Sequence, residues 1–312
     1  MTAPIPVLLD CDPGHDDALA ITLALARPEL DVLGITTVAG NVGLRETTRN
    51  TLRLLALLGR TDVPVASGAA APLLRPLEIA DDVHGESGLD GADLPEPRSE
   101  LRPEGALAFM RATLEAAPGP VTLIPTGPLT NIAQLLLAAP ALAPKIAHIC
   151  LMGGAMREGN WTPAAEFNIW VDPEAARIVF RSGLPITMVG LDVTHTALFL
   201  DTDVARLDAL GTPVATVFAD LLRFYGRFHH ERYGWDGSPI HDAVAVAHVA
   251  VPGLVTTQPY RVDVETTGEI TRGRTVVDSR GVAGPAPNAE VALTIDRPRF
   301  VDLLVDAIAS FG

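Results

Sequence analysis

The sequence predicts an α/β fold, a single domain with a central, mostly parallel sheet flanked by helices. Short apolar runs alternate with amphipathic stretches along most of the 312 residues, as in chains that wind helices around a parallel sheet. The apolar runs are continuous rather than alternating with polar residues, which indicates strands buried on both faces. With 48% hydrophobic residues the chain can bury a large core, so we expect one domain over residues 1–312.

The predicted elements follow from this alternation. Five buried strands are expected at residues 7–10, 32–38, 121–125, 146–152 and 186–189. Helices with three-to-four spacing are expected at residues 16–26, 46–59, 104–116, 129–138 and 173–182. Asp172 is a suitable N-cap for the last of these, because Pro173 then occupies the first helical position. Ligands of such sheets bind beyond the carboxyl ends of the strands, so polar residues after each run are the candidates for a site.

Two further regions depart from this pattern. The Pro- and Gly-rich segment 66–103 has few apolar stripes and predicts a long functional loop or lid. Residues 260–267, 274–278 and 290–295 alternate in polarity, which predicts a small antiparallel patch near the C-terminus. A closing helix is expected at 297–308.

Composition excludes several classes of partner. A net charge of -15 argues against nucleic acid and anionic membranes, which require a cationic surface. We expect no signal peptide in the first ten residues and no membrane span, because no apolar run is long enough. The two cysteines, Cys11 and Cys150, lie in strand-like runs, which favours a reducing compartment, by default the cytoplasm.

Four carboxylates lie within eight positions after the first predicted strand: Asp10, Asp12, Asp16 and Asp17. Their repulsion calls for a cation, and hard cations prefer oxygen ligands, so Ca²⁺ or Mg²⁺ fits better than zinc. The simpler alternative is that Asp16 and Asp17 only cap a helix while Asp10 faces solvent. A cap needs one acid rather than four, which favours the cation.

A second acidic position lies far downstream, where His241 and Asp242 begin a predicted helix over residues 241–249. Taken alone, the pair also fits a helix cap beside a surface histidine. It joins a metal site only if Asp242 meets Asp12 in space.

Amide and carboxylate side chains recur after the strand at 146–152, at Asn160, Glu166 and Asn168. Each sugar hydroxyl both donates and accepts hydrogen bonds, so mixed side chains of this kind can bind vicinal hydroxyls. A loop whose asparagines merely adopt turn conformations is an equally good interpretation of this stretch by itself.

With these pieces placed, the chain resembles the nucleoside hydrolases of the inosine-uridine-preferring type over essentially its whole length. The motifs that carry the resemblance are DCDPGHDDALA from Asp10, TTVAGN ending at Asn41, HGESG from His84, PTGPLTN from Pro125, MGG from Met152, EFN from Glu166 and the pair His241 and Asp242. The resemblance implies an α/β fold with a mostly parallel sheet, a tightly held Ca²⁺, and hydrolysis of the N-glycosidic bond of ribonucleosides. It also implies a homodimer or homotetramer.

The resemblance further implies roles for individual residues. Ca²⁺ would be bound by Asp12, Asp17, the Thr126 carbonyl and Asp242, with Asp12 also the general base. The ribose hydroxyls would be held by Asp16, Asn160, Glu166 and Asn168, with Asn41 and Met152 close by. His241 would face the leaving base. Ala243 follows Asp242 where many relatives have proline, which affects the start of the helix rather than the chemistry.

The evidence for the nucleobase site is an aromatic run before His241, made of Phe224, Tyr225, Phe228, His229, His230, Tyr233 and Trp235. An ordinary helix that buries an aromatic stripe is an equally good interpretation for Phe224 and Phe228. We expect Tyr225 and His241 in the pocket, and a protonated imidazole or an ordered hydrogen-bonding network to neutralise the departing base. The run is more similar to relatives acting on uridine and cytidine than to purine-restricted ones. We therefore expect uridine as a good substrate, with inosine tolerated. The segments 80–92, which carries His84, and 223–238 should order on ligand binding.

Several alternatives remain open at this level. Base preference could instead be for purines, or broad. Asp-x-Asp after a first strand also begins Mg²⁺-dependent phosphohydrolase sites, but Lys145, the single lysine, precedes a strand rather than following one. A Ca²⁺-dependent sugar-binding module would keep the acidic cluster but has no use for an imidazole beside it.

Overall fold

The computed structural model describes residues 3–312 of the chain. Within them lie eleven strands: β1 (Ile5–Cys11), β2 (Leu30–Thr37), β3 (Val65–Ser67), β4 (Val121–Pro125), β5 (Ile146–Met152), β6 (Ile186–Val189), β7 (Leu198–Leu200), β8 (Gly237–Pro239), β9 (Val255–Val264), β10 (Thr275–Asp278) and β11 (Ala289–Ile295). All five predicted strands are present, with ends that shift by at most two residues.

The described residues also form twelve α-helices: α1 (His15–Ala26), α2 (Leu44–Leu57), α3 (Asp81–His84), α4 (Gly105–Ala116), α5 (Thr130–Ala138), α6 (Phe167–Val171), α7 (Pro173–Phe180), α8 (Leu191–Thr194), α9 (Asp201–Leu210), α10 (Pro213–Tyr233), α11 (His241–Ala250) and α12 (Arg297–Ala309). The predicted cap of α7 is present, because the Asp172 carboxylate accepts a hydrogen bond from Ala175 N at 3.0 Å. Among residues 3–312, no helix combines the length and the apolar character of a membrane span.

Nine strands form one sheet in the order β10-β9-β11-β6-β5-β4-β1-β2-β3. The seven strands from β11 to β3 run parallel, and β9 and β10 pair antiparallel at one edge. The chain passes outward from β1 to β2 and β3, then returns to the other side of β1 with β4. Such a reversal opens a crevice beyond the carboxyl ends of the two central strands. The predicted α/β class with a mostly parallel sheet is therefore confirmed.

Apolar side chains cover both faces of this sheet. Neighbouring residues of β4 point to opposite faces: Leu123 joins the cluster that packs on α4, α5 and α7, and Ile124 joins the one that packs on α1, α2, α10, α11 and α12. On the face of the sheet that Ile124 joins, α1 packs against α11. Because both helices begin at the carboxyl edge of the sheet, this packing brings the start of α11 to the start of α1.

The predicted antiparallel patch is present, but it is continuous with the main sheet. β9 pairs antiparallel with β10 and β11, while β11 also pairs in parallel with β6 through Glu290 and Thr187. A separate two-stranded antiparallel sheet of β7 and β8 was not predicted. These strands are only three residues long, too short for a recognisable alternation.

The predicted loop over residues 66–103 is mainly irregular, as expected, although β3 includes its first residues and α3 lies within it. Side chains of α2 donate hydrogen bonds to backbone carbonyls of this loop. Asn50 Nδ2 donates a hydrogen bond to Ser87 O at 2.7 Å, and Arg53 binds Leu94 O at 2.5 Å and Pro95 O at 3.3 Å. The loop is thereby held over the carboxyl edge of the sheet.

Candidate active site

A cavity of about 420 Å³ opens beyond the carboxyl ends of the central strands. The predicted site residues on its wall are Asp16, Asn41, His84, Thr126, Met152, Asn160, Glu166, Asn168, Tyr225, His241 and Asp242. The other two, Asp12 and Asp17, are fully buried and are not part of the wall. The fold thus brings side chains from most of the chain length into one place.

A group of buried carboxylates lies at the base of this cavity. Single oxygen atoms of Asp16, Asp17 and Asp242 all lie within 4.8 Å of one another. Burial and then the Asp17 charge raise the pKa of Asp16 to about 7, while burial and the charges of Asp16 and Asp17 raise the pKa of Asp242 well above its usual range. The site therefore favours any change that neutralises its charge, either proton uptake or the binding of a divalent cation.

The first turn of α1 fixes Asp17 within this group. Its carboxylate accepts hydrogen bonds from Gly14 N at 3.0 Å, Thr126 Oγ1 at 2.8 Å and Asn41 Nδ2 at 3.3 Å. The capping alternative is thus partly correct for Asp17, because the bond to Gly14 N is a helix-capping contact. Capping does not account for Asp16, which lines the cavity.

Asp12 is held in a tight cradle. Its Oδ2 accepts a hydrogen bond from Asn41 N at 2.7 Å, whereas its Oδ1 is buried without a partner among the described residues. A Cβ at Gly40 or Gly127 would collide with this carboxylate. Burial, followed by the Asp17 charge, raises the pKa of Asp12 well above its usual range. Asp12 is thus an oriented carboxylate with one oxygen atom free for a ligand or a proton.

Asp10 has a different place from the one in the solvent-facing alternative. It is only 2% exposed, so that alternative is wrong for this residue. Asn131 Nδ2 donates to Asp10 Oδ1 at 2.8 Å and to Thr37 O at 2.9 Å. The first turn of α5 is thereby tied to the ends of β1 and β2, directly beneath the cluster.

One wall of the cavity is built around Glu166, the N-cap of α6. Its carboxylate oxygens accept hydrogen bonds from Gly154 N at 2.9 Å, Asn168 N at 2.9 Å and Ile169 N at 3.2 Å. Burial nevertheless raises its pKa to about 7. The helix cap therefore fixes an acidic side chain that also lines the cavity.

The two asparagines of this wall present opposite polarity. Asn168 Nδ2 donates to Thr126 O at 2.7 Å and to Met152 O at 3.3 Å, so its amide oxygen is the atom left to accept from a ligand. Asn160 Oδ1 accepts from Phe167 N at 3.0 Å, so its amide nitrogen is left to donate. Donors and acceptors side by side are what vicinal hydroxyls need. The turn interpretation is compatible with Asn160, which accepts from the nearby Phe167 N, but not with Asn168, which lies in α6 and binds two distant carbonyls.

The opposite wall is aromatic. Tyr225, Phe228, His229, Tyr233 and Trp235 line the cavity. Their rings are in mutual contact: His229 stacks on Trp235 at a centroid distance of 6.0 Å and meets the edge of Tyr225 at 4.5 Å. This surface suits a flat heterocycle.

Two members of the aromatic run lie outside the cavity. Phe224 stacks on His15 at a centroid distance of 5.3 Å, and His230 is exposed beside a separate surface groove. Both belong to α10, whose residues point in directions about 100° apart per position. The alternative of a helix that buries an aromatic ring is therefore correct for Phe224, whereas Phe228 lines the cavity, and His230 does not contribute to the cavity wall.

The imidazoles near the aromatic wall are held by hydrogen bonds. His241 Nδ1 lies 2.7 Å from Thr194 Oγ1, and His84 Nδ1 lies 3.2 Å from His15 Nδ1. Burial is the main cause that lowers the pKa of both His241 and His84 well below the usual range. Near pH 7 these rings are neutral and offer one N–H each. This favours the ordered hydrogen-bonding network over a protonated imidazole.

Sequence reasoning missed several residues of the cavity wall, among them Trp161, His195 and Arg232. A signal existed for His195, which follows β6 at the same carboxyl edge as the other site residues, and whose ring lies 5.6 Å from that of His241. Trp161 lies directly after Asn160 in the predicted hydroxyl-binding loop. Nothing local in the sequence indicates Arg232.

The fold and the site together define an α/β protein whose cavity has buried carboxylates at its base, amide and carboxylate side chains on one wall, and aromatic rings on another. Residues 7–302 match the family described as inosine-uridine preferring nucleoside hydrolase. The chain belongs to this family and is a nucleoside N-ribohydrolase, which disfavours the phosphohydrolase and sugar-binding alternatives. The family is metal-dependent, in keeping with the acidic cluster.

Known relatives differ in the bases that their names specify. The chain is 55% identical over 309 residues to a pyrimidine-specific ribonucleoside hydrolase RihA of Citrobacter koseri and to one of Escherichia coli, with 99% of each chain covered. Among solved structures it is similar to a purine-preferring ribonucleoside hydrolase of Gardnerella vaginalis, with a TM-score of 0.92, 36% identity and 98% of each chain covered. The shared fold therefore does not decide base preference.

Proposed function

We propose that this enzyme hydrolyses the N-glycosidic bond of pyrimidine ribonucleosides, uridine and cytidine, in a Ca²⁺-dependent reaction, with inosine tolerated. The observation that carries the proposal is the hydrogen bond from Asn168 to the Thr126 carbonyl. It joins the hydroxyl-binding wall to the cation site, so a bound ribose would lie against the acidic cluster.

The residues present fit a hard divalent cation. The unpartnered Asp12 Oδ1 and the clustered oxygens of Asp17 and Asp242 are carboxylate donors, and the Thr126 carbonyl completes an all-oxygen set. These four residues would hold Ca²⁺, in preference to zinc, which favours nitrogen and sulfur. When bound, the ion supplies a fixed position and a lower pKa for a water molecule.

Asp12 is the proposed general base. Its Oδ2 is oriented by a hydrogen bond from Asn41 N, and its Oδ1 has no partner among the described residues and is free to accept a proton. Water adds to the anomeric carbon, its proton passes to Asp12, and the C–N bond breaks with its electron pair on the base. The ribosyl group becomes cation-like on the way, so the acidic side chains of Asp16 and Glu166 stabilise the transition state.

The departing base is proposed to leave along the aromatic wall. His241 is fixed by Thr194 Oγ1 and lies beside His195, where it can form a hydrogen bond with the base. The electron pair of the broken C–N bond is delocalised over the departing base. It reaches a carbonyl oxygen of the ring in uridine and N7 in inosine, and these atoms accept the hydrogen bond. Tyr225, on the same wall, is the proposed ring contact.

The pyrimidine preference is supported by the relatives at 55% identity. A cavity of about 420 Å³ with a broad aromatic wall is compatible with a purine as well, which is why we expect inosine to be tolerated. The free, buried thiols of Cys11 and Cys150 support a reducing location such as the cytoplasm. A homodimer or homotetramer stays a prediction.

The proposal is tested by measuring ribose release from uridine, cytidine, inosine and adenosine, each with and without a chelator. We expect fast release from the two pyrimidine nucleosides, slower release from inosine, and loss of activity on chelation that Ca²⁺ restores. Purine-only activity would overturn the base assignment, and full activity after metal removal would overturn the metal assignment. His241→Ala should lower the rate for at least one base, and an unchanged rate for all four would overturn its role.

A further inference from the structure

Glu78, in the loop that covers the cavity, joins three segments that are distant in sequence. Its Oε2 accepts hydrogen bonds from the indole nitrogens of both Trp161, at 3.3 Å, and Trp170, at 3.0 Å. Its Oε1 lies 3.4 Å from the Arg272 guanidinium. One carboxylate therefore receives two indole N–H groups and one cationic partner.

The partners of Glu78 are all hydrogen-bond donors, and two of them, Trp170 and Arg272, pack on one another. An indole nitrogen can only donate, so each tryptophan needs an acceptor such as this carboxylate. The Arg272 guanidinium lies over the Trp170 ring at 3.5 Å, and its Nε is buried without a hydrogen-bond partner among the described residues. The Trp170 indole thus has the guanidinium on one face of its ring and the Glu78 carboxylate at its nitrogen.

The contacts of Glu78 join the loop 66–103 to the wall that carries Asn160 and Asn168. Trp161 lines the cavity and packs with Ala80 and Val83 in a small apolar cluster beneath the loop. His84 follows on the same segment and also lines the cavity. Trp170 belongs to α6, the helix that carries Asn168. The carboxylate thus ties the loop with His84 to the helix of the hydroxyl-binding wall.

We propose that Glu78 is a positioning residue for ribonucleoside binding, which fastens the segment 77–84 onto Trp161 and Trp170 and so sets the shape of the cavity. This inference rests on the proposed function for its kinetic test. The Glu78 side chain is 42% exposed, so its ion pair contributes little to global stability and its loss should leave the fold intact. The loss of the Glu78 carboxylate should instead change the position of the segment 77–84.

The expected phenotype is a change in binding rather than in the chemical step. Glu78→Ala removes the acceptor of both indoles, and we expect the resulting displacement of the segment 77–84 to raise KM for uridine by roughly tenfold in total. We expect kcat to change by less than about threefold, because no reacting atom is touched. Glu78→Gln keeps an oxygen for the indoles and loses only the charge, so its KM should lie between those of the wild type and Glu78→Ala.

The matched control is Glu86→Gln, which removes one exposed carboxylate from the same loop. A second readout, independent of turnover, is acrylamide quenching of tryptophan fluorescence in the substrate-free protein. Two of the three tryptophans contact Glu78, so Glu78→Ala should increase quenching, while Glu86→Gln should not.

The outcomes separate the two proposals. If the wild-type enzyme releases no ribose from uridine, the proposed base preference fails, and quenching together with KM for the nucleoside that is cleaved decides the role of Glu78. If KM is unchanged in Glu78→Ala, or equally raised in Glu86→Gln, the positioning role is refuted, even where quenching increases. Unchanged quenching in Glu78→Ala also refutes it.

Discussion

Replacing Asn168 by alanine tests the link between the hydroxyl-binding wall and the cation site. The side chain is 5% exposed, and its Nδ2 donates to Thr126 O at 2.7 Å and to Met152 O at 3.3 Å. From sequence alone, a substitution in this wall is expected to leave the metal in place. In the structure this side chain binds the Thr126 carbonyl, a proposed Ca²⁺ ligand, so we expect Asn168→Ala to weaken Ca²⁺ binding as well.

The expected losses of Ca²⁺ affinity and of kcat/KM follow from the two proposed roles of the Asn168 side chain. Loss of a partner that orients a metal ligand lowers metal affinity by about 10- to 100-fold, so we expect a weaker Ca²⁺ site in Asn168→Ala. At saturating Ca²⁺ the variant still lacks the amide oxygen that accepts from a ribose hydroxyl. A hydrogen bond of this type, strengthened in the transition state, is worth about 2 to 3 kcal/mol, which is roughly a 30- to 150-fold loss in kcat/KM.

Two measurements separate these effects. Competition with a chromophoric chelator gives the Ca²⁺ affinity, and ribose release at saturating Ca²⁺ gives kcat/KM for uridine. Asn160→Ala is the matched control, because Asn160 binds Phe167 N on the same wall and makes no hydrogen bond to Thr126. It should lose kcat/KM and keep its Ca²⁺ affinity. Wild-type Ca²⁺ affinity in Asn168→Ala, or an equal loss in Asn160→Ala, would refute the reasoning.

Three further predictions concern the cluster and its surroundings. Asp12→Ala and Asp242→Ala should each lose Ca²⁺ and nearly all turnover, and an active variant that retains calcium by elemental analysis would contradict the metal assignment. The enzyme should cleave 2'-deoxyuridine at least about a hundredfold more slowly than uridine, because the substrate lacks a ribose hydroxyl that the enzyme is proposed to bind. Equal rates would contradict the proposed binding of the ribose hydroxyls. The folded-state pKa of Glu166 is raised to about 7 from 4.5, so the folded protein binds its proton more tightly than the unfolded chain. Stability from this group is therefore greatest below about pH 4.5 and declines as pH rises to about 7, by roughly 3 kcal/mol in total. Chelated Glu166→Gln should lack this part of the pH dependence in urea unfolding, and identical pH profiles would contradict it.

The sequence predicted the sheet well because the signals of a buried parallel strand are local. Continuous apolar runs such as 121–125 need no knowledge of their neighbours to be recognised. The position of polar residues after these runs likewise indicated the carboxyl edge as the site, at Asp12 and Thr126 among others. The carboxyl-edge rule uses only the order of elements along the chain, which the sequence contains in full.

Individual orientations were harder to predict. In α10 the sequence shows a dense aromatic run, but only the rotation of the helix decides that Tyr225 lines the cavity while Phe224 packs on His15. Asp10 is similar: alternation along β1 turns it toward Asn131 rather than toward the cavity or the solvent. Which face of an element meets which neighbour depends on packing.

By itself the sequence determined the α/β class, the cluster of acidic residues after β1, and the amide and carboxylate side chains that follow β5. Residue type and spacing are properties of single segments, so the sequence contains them in full. Only the tertiary structure decided that Asp16 joins Asp17 and Asp242 in one group, and that Glu78 bridges Trp170 and Arg272. Such contacts join segments far apart in the chain. They depend on the reversal of strand order at β1 and on the packing of α1 against α11, which no local pattern of residues encodes.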